Sequence, residues 1–179
     1  MTIIKKVLVG YASAHGSTAE VAEFIGKVLQ EHDFAVTVAS VDDVKSVSDY
    51  DAFILGSAIH AGMWLTPMSV FFERYEDQIV GKPVYFFMTC IRVLEPDGYQ
   101  HALDNYVYHE TMDKLDVKDI GVFAGKLTWD QIDLRERWTI SLRYDGTEVP
   151  GTRNDDFRDW NAIRAWAVSV REALEKSPA

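Results

Sequence analysis

A stretch of small and hydroxyl-bearing residues follows the first apolar run of the chain. Ser13, Gly16, Ser17 and Thr18 come after Val7–Val9 and directly before a helical pattern of apolar residues. A glycine allows a tight backbone turn, and the first backbone N–H groups of a helix have no partner inside that helix. Free N–H groups, hydroxyls and a helix N-terminus together favour phosphate binding. The alternative is a capped helix after a turn, with the hydroxyls bonded only to backbone N–H groups.

This segment matches neither of two common nucleotide-binding motifs. No Gly-Lys-Ser/Thr sequence follows it, as a P-loop requires, and the G-x-G-x-x-G pattern of dinucleotide-binding folds is absent. The imidazole of His15 either donates to a phosphate or is exposed to solvent. We define the candidate phosphate loop by its six residues, Ser13, Ala14, His15, Gly16, Ser17 and Thr18.

A second candidate segment combines small residues with flat side chains after the third predicted strand. A flat redox-active ring needs backbone amides for its polar edge and apolar faces for stacking, and this segment offers both. We expect His60 either to lie beside such a ring or to be exposed. Trp64 is the one tryptophan that we place at a cofactor rather than in the core. The candidate ring-binding residues here are Ser57, Ala58, Ile59, His60, Ala61, Gly62 and Trp64.

The elements that position these segments alternate between short apolar runs and helical spacing, which is typical of an α/β fold. The predicted strands are Lys6–Tyr11, Phe34–Ala39, Ala52–Leu55, Val84–Met88 and Ile120–Ala124, the third of which ends at Gly56. Strands joined by helices predict a doubly wound parallel sheet with helices on both faces. Ligands bind at the carboxyl ends of such strands, where both candidate segments lie. No linker or repeat is visible, so we expect residues 1–179 to form a single domain.

Local signals predict where the helices begin. Ser17 with Glu20 predicts a capping box for the first helix, and Thr66-Pro67 predicts an N-cap followed by the first helical residue. A less regular helix is expected from about Gly98 to Leu115. Residues 126–154 are too many for a simple strand-to-helix turn and are interpreted as an insert after the fifth strand.

The spacing Ser13-x-x-Gly16-x-Thr18 after a strand resembles the phosphate loop of flavodoxins, with His15 where a threonine is usual. Most of the chain is similar to the flavodoxin-domain family that contains the menaquinone-dependent protoporphyrinogen oxidases. The segments that carry this resemblance are Tyr11–Thr18, Leu55–Gly62, Phe123–Leu127 and Asp156–Trp166. The resemblance implies a flavodoxin-like five-stranded sheet with strand order 2-1-3-4-5.

The resemblance also implies FMN as the cofactor, with its phosphate in the candidate phosphate loop and its ring beside the second segment. The loop from Thr89 to about Gly98 then closes the other side of the ring, through Thr89, Cys90 and Ile91. The implied function is FMN-dependent oxidation linked to a quinone or a redox partner protein, with protoporphyrinogen among the substrates. The alternatives are a flavodoxin-type electron carrier and a flavin-free interaction domain. No catalytic acid or base is assigned, and any membrane contact, through the insert, is peripheral.

Composition excludes several other classes of protein. The formal net charge of -10 repels phosphate backbones, so we expect no nucleic-acid partner. Cys90 is the only cysteine, which rules out an intrachain disulfide and cysteine-rich zinc sites, and we interpret it as a buried, inert thiol. His101 and His109 lack the spacing of a helical metal pair, so no metal is expected. The apolar stretch near the N-terminus is too short for a signal peptide, which predicts a cytoplasmic protein.

Overall fold

The computed structural model describes residues 5–144 and 155–177, so part of the predicted insert, 145–154, lies outside the described residues. The strands are β1 (Lys5–Ala12), β2 (Phe34–Ser40), β3 (Ala52–His60), β4 (Met63–Trp64), β5 (Val84–Thr89), β6 (Ile120–Phe123), β7 (Lys126–Leu127) and β8 (Asp155–Asp156). The α-helices are α1 (Ser17–Gln30), α2 (Thr66–Ile79), α3 (Gly98–Asn105), α4 (His109–Lys114), α5 (Leu134–Tyr144) and α6 (Trp160–Lys176).

Five parallel strands form the centre of the fold, in the order β2-β1-β3-β5-β6. This order confirms the predicted 2-1-3-4-5 arrangement, because the short β4 is an antiparallel addition to β3 outside that row. The last residue of β1, Ala12, is opposite Ser57 on β3, and the last residue of β5, Thr89, is opposite the next residue, Ala58. The carboxyl ends of three neighbouring strands therefore meet at one edge.

The sheet buries apolar side chains on both of its faces. On β5, Phe86 and Met88 pack on one side, and Tyr85 and Phe87 pack on the other, as the alternation of side chains along a strand requires. The first side is covered by α2 and the short α3 and α4, and the second by α1 and α6. Helices on both faces confirm the doubly wound architecture.

The prediction that the third strand stops at Gly56 is wrong. β3 continues through Gly56 to His60 because the glycine has a structural role inside the sheet. A Cβ built at Gly56 would lie 2.0 Å from Cζ of Phe87 on the neighbouring strand. The absence of a side chain lets the phenylalanine ring pack over the backbone, and the candidate residues Ser57–His60 consequently lie on a strand rather than in a loop.

Gly56→Ala should therefore destabilise the protein by overpacking. Forcing a methyl group into a filled core typically costs about 1–3 kcal/mol, and we expect a lower urea midpoint with an unchanged slope. Gly125→Ala is the matched control, because the nearest atom to its new Cβ would be Cβ of Thr89, at an ordinary contact distance of 3.9 Å. Equal urea midpoints for the two variants would contradict this account of Gly56.

Two predicted helix starts are wrong in detail. The residue that precedes α1 is Gly16, Ser17 is the first helical residue, and no side chain caps this end of the helix. The predicted capping box therefore does not form. Likewise α2 begins at Thr66 with Leu65 in the capping position. The irregular helix predicted near Gly98 is divided into α3 and α4.

The described part of the insert is anchored at its base and exposed further out. β7 pairs with β8, so its two ends lie side by side. Leu127 and Ile132 are buried, whereas Leu134 and Trp138 on α5 are 81% and 68% exposed. Among residues 5–144 and 155–177, no helix combines the length and the apolar character needed to cross a membrane.

Candidate functional site

The candidate site lies at the carboxyl edge of the sheet, between β1 and β3. The chain leaves β1 toward β2 on one side and leaves β3 toward β5 on the other, which makes this position the topological switch point. The candidate phosphate loop follows β1, the ring-binding segment is the end of β3 and its hairpin, and Thr89 ends β5. The fold thus brings all three predicted segments to one edge.

The candidate phosphate loop ends in a left-handed turn that leads into α1. Gly16 has a φ of +91°, a conformation that favours glycine. Its N–H donates to Oγ of Ser13 at 3.0 Å, which closes the loop on itself. A Cβ built at Gly16 would meet no atom within 4 Å, so the space beside the first turn of the helix is open to a ligand. The first N–H groups of this 14-residue helix lack helical acceptors.

Thr18 connects the candidate phosphate loop to the end of β5. Its side chain is fully buried, and its Oγ1 lies 2.7 Å from Oγ1 of Thr89, where either hydroxyl can donate. Each hydroxyl has a single hydrogen. One of the two oxygens therefore donates within the pair, and the other can direct its hydrogen elsewhere.

A tight hairpin shapes the ring-binding segment. Ala61 and Gly62 both have positive φ values, 49° and 77°, as in the two-residue turns that join the strands of a β-hairpin. The hydroxyl of Ser57 donates to the Ala58 carbonyl at 2.8 Å and accepts from the N–H of Leu65 at 3.0 Å. Ser57 thus uses its side chain to hold the hairpin, while Ile59 and His60 lie at its partly exposed end.

Trp64 lies beneath the hairpin and not at its surface. Only 4% of its side chain is exposed, and its ring packs against Phe72, Phe86 and Tyr108 at centroid distances of 5.4, 4.5 and 4.3 Å. The tryptophan stabilises the hairpin from the core side. At the site, Trp64 therefore acts by holding the backbone of the hairpin in position.

The third segment combines a buried thiol with a loop closed by ion pairs. Thr89 and Cys90 are buried, and Ile91 begins a short 3-10 turn that ends at Leu94. Arg92 lies 3.0 Å from the carboxylate of Asp97 and holds the pKa of that carboxyl below its usual value. These contacts fix the segment that borders the site on the β5 side.

Cys90 should be unreactive in the folded protein. Burial raises the pKa of its thiol from 9.0 to about 11, against the smaller opposing effect of backbone hydrogen bonds. Because the thiolate is the nucleophile, iodoacetamide at pH 8 should alkylate the native chain at least about 100-fold more slowly than the urea-unfolded chain. Mass spectrometry follows one site, since the chain has one cysteine. Similar rates in both states would show that the thiol is accessible and activated.

Two histidines from separate segments meet a glutamate from the insert. The rings of His15 and His60 are stacked, with centroids 5.9 Å apart and planes at 28°. One carboxylate oxygen of Glu136 lies 2.6 Å from Nδ1 of His60, and the other lies 3.6 Å from Nε2 of His15. Burial lowers the pKa of His60, although the neighbouring Glu136 opposes that effect. This cluster joins α5 to both candidate binding segments.

Arg158 brings a positive charge next to the start of α1. Its guanidinium is almost fully buried, donates to the Ser17 carbonyl at 3.2 Å and lies 2.6 Å from carboxylate oxygens of Glu20 and Asp156. The arginine holds the pKa of Asp156 below its usual value. Sequence reasoning assigned no role to Arg158 or Glu136. Arg158 lies in one of the segments that carry the family resemblance, but no local pattern reveals which distant loop either side chain reaches.

The arrangement fits a phosphate-bearing cofactor with a flat ring. The space beside Gly16 at the N-terminus of α1 is open, and the hairpin and the β5 loop lie at the same edge of the sheet. Helix N–H groups and small residues suit a phosphate, and they do so without a dedicated lysine. The residues present therefore fit FMN.

Comparison with known proteins agrees with this fit. A family model described as "Flavodoxin domain" matches residues 8–153. The chain is 20% identical to "Protoporphyrinogen IX dehydrogenase [quinone]" of Escherichia coli strain K12 over 176 residues, which cover 96% of this chain and 97% of that protein.

Solved structures show the same fold. A flavodoxin from the domain Archaea matches with a TM-score of 0.59 and 17% identity, over 95% of this chain and 99% of that chain. Oxidised Flavodoxin 1 from Bacillus cereus matches with a TM-score of 0.59 and 16% identity, over 97% and 99% of the two chains. With the family model covering most of the sequence, the chain belongs to the Flavodoxin domain family of FMN-binding oxidoreductases.

Proposed function

We propose that this chain is an FMN-dependent oxidoreductase that oxidises an organic donor and reduces a quinone, with protoporphyrinogen as the first donor to test. The position of α5 carries the proposal. The side of this helix that carries Glu136 faces His15 and His60 at the candidate site. Leu134 and Trp138 lie on the opposite side of the helix, because residues two positions apart are separated by about 200°.

An exposed apolar helix face beside a redox site suits an apolar partner. Leu134 and Trp138 are four residues apart, so they are neighbours on the helix surface, and both are largely exposed. A small, fully solvated electron carrier has no need of such a surface, whereas a quinone with an apolar tail does. The similarity to the quinone-linked dehydrogenase of Escherichia coli supports the same choice.

The candidate segments divide the work of holding the cofactor. In this proposal the backbone of Ser13–Thr18 binds the phosphate and the hairpin Ser57–Trp64 borders one part of the ring. Thr89, Cys90 and Ile91 border the other part. The bound flavin supplies the redox chemistry by accepting electrons from the donor and releasing them to the acceptor. The protein positions the ring, and its buried Thr89 and Cys90 keep water from the β5 side.

The test has two stages. The flavin released from purified protein is first identified by its visible absorption and its mass. Flavin-loaded protein is then assayed for steady oxidation of protoporphyrinogen with menaquinone, in which each two-electron oxidation of the donor converts one quinone to quinol. Bound FMN without steady turnover would support the electron carrier instead. Protein that neither retains nor rebinds FMN would overturn the proposal and favour an interaction domain.

A further inference from the structure

The cluster formed by His15, His60 and Glu136 has a chemical property that flavin binding does not require. One ring nitrogen from each of His15 and His60 and a carboxylate oxygen of Glu136 all lie within 4.8 Å of one another. The three residues come from the phosphate loop, the end of β3 and α5. Two imidazoles and one carboxylate are a donor set that divalent transition metals bind.

The distances suit a small divalent ion. Tetrahedral zinc, with bonds of about 2.0–2.1 Å, places its ligand atoms about 3.3 Å apart. The Glu136 oxygens lie 2.6 Å from the His60 nitrogen and 3.6 Å from the His15 nitrogen, on either side of that value. Side-chain adjustments of an ångström or so would bring all three atoms to one ion. Three protein ligands leave a further coordination position for water or another oxygen.

The surroundings hold the carboxylate in place and favour a cation. The N–H of Asp133 donates to Oε2 of Glu136 at 3.2 Å, and the N–H of Glu136 donates to Oδ1 of Asp133 at 2.8 Å. Such outer contacts orient metal ligands. Asp133 and Glu136 add negative charge to a chain whose net charge is already -10. Burial favours neutral His60, which is the form that binds a metal.

We propose that His15, His60 and Glu136 form a binding site for a divalent transition-metal ion of the zinc class. From the sequence no metal is expected, because the chain has one cysteine and because His101 and His109 lack the spacing of a helical metal pair. The site would attach α5 to both candidate binding segments through the ion. It does not depend on the proposed oxidoreductase function, because metal binding is measurable on the full-length protein without flavin.

The test is titration of the flavin-free, full-length protein with Zn²⁺ in competition with a chromophoric chelator. Co²⁺ is a second probe, because tetrahedral cobalt with imidazole ligands absorbs visible light. We expect one ion per chain. His60→Ala and Glu136→Gln should each weaken Zn²⁺ binding by at least about 100-fold, since even the loss of an outer-shell partner costs about 10- to 100-fold.

His32→Ala is the matched control. His32 also pairs with a carboxylate, Glu175, at 2.9 Å, and the metal-ligand cluster found among the described residues does not include this pair. This variant should keep the wild-type Zn²⁺ affinity. Zn²⁺ should also raise the thermal midpoint of the wild type and of His32→Ala but not that of His60→Ala. Absence of stoichiometric Zn²⁺ binding, or equal losses in His32→Ala and His60→Ala, would overturn the site and leave the cluster as an ion pair.

Discussion

Thr18→Val should weaken FMN binding by roughly 10- to 150-fold, which corresponds to the ~1.5–3 kcal/mol of a hydrogen bond to a charged group. Valine keeps the shape of the fully buried threonine and removes its hydroxyl. Riboflavin lacks the phosphate, so its affinity should change little. Quenching of flavin fluorescence on titration with the flavin-free protein measures both dissociation constants.

The neighbouring threonine provides the control for this experiment. Thr89→Val breaks the same 2.7 Å hydrogen bond as Thr18→Val and leaves one buried hydroxyl without its partner in either case. If Thr18 acts on the phosphate, Thr89→Val should weaken FMN binding much less, because the Thr18 hydrogen remains available. Equal losses of FMN affinity in the two variants would mean that the pair acts only by positioning the loop. An equal loss of riboflavin affinity would contradict the phosphate assignment itself.

The double variant Leu134→Ser/Trp138→Ser should lower kcat/KM for a lipophilic quinone by roughly 30-fold. Apolar anchors at the centre of an interface typically contribute more than 1 kcal/mol each, and a total of about 2 kcal/mol corresponds to this factor. Reduction of a small water-soluble dye should be unchanged, because the dye reaches the flavin without an apolar surface. FMN affinity should also be unchanged, since both side chains are directed to solvent.

Val70→Ser/Val80→Ser is the matched control for the double variant. Val70 and Val80 are also exposed, at 42% and 47%, but they lie on α2 and directly after it and not on α5. This control should retain the quinone activity. If the α5 variant lost dye and quinone reduction equally, the helix would support the site and not a partner. Unchanged quinone reduction would place the docking surface elsewhere and favour the carrier.

The candidate segments could be predicted from the sequence because their signals are local. A glycine with hydroxyl residues between a strand and a helix is visible in Ser13–Thr18, and its backbone geometry depends mainly on those residues themselves. The alternation of apolar runs likewise predicted the five parallel strands, all but β3 to within one residue at each end, and the doubly wound sheet that joins the segments. Parallel strands place their carboxyl ends together whatever side chains they carry, so the site's position at the sheet edge followed from the elements.

Other features were decided only by contacts between distant parts of the chain. Gly56 looks like a strand end in the sequence, and only the ring of Phe87 on the next strand explains why β3 continues through it. Glu136 looks like one of several exposed charges, yet α5 brings its carboxylate to His15 and His60. Arg158 reaches α1 in the same way.

The physical reason for this division is the range of the forces involved. Backbone conformation and the periodicity of apolar residues depend on a few neighbouring positions, so both can be predicted from the sequence. Ion pairs and ring packing depend on which elements the folded sheet places side by side. The sequence shows the same charged residue whether its side chain contacts solvent or a histidine in the folded protein. The sequence alone therefore determined the position of the candidate phosphate loop and the parallel sheet that carries it, and the tertiary structure alone decided that α5 contacts this loop and the end of β3 through Glu136.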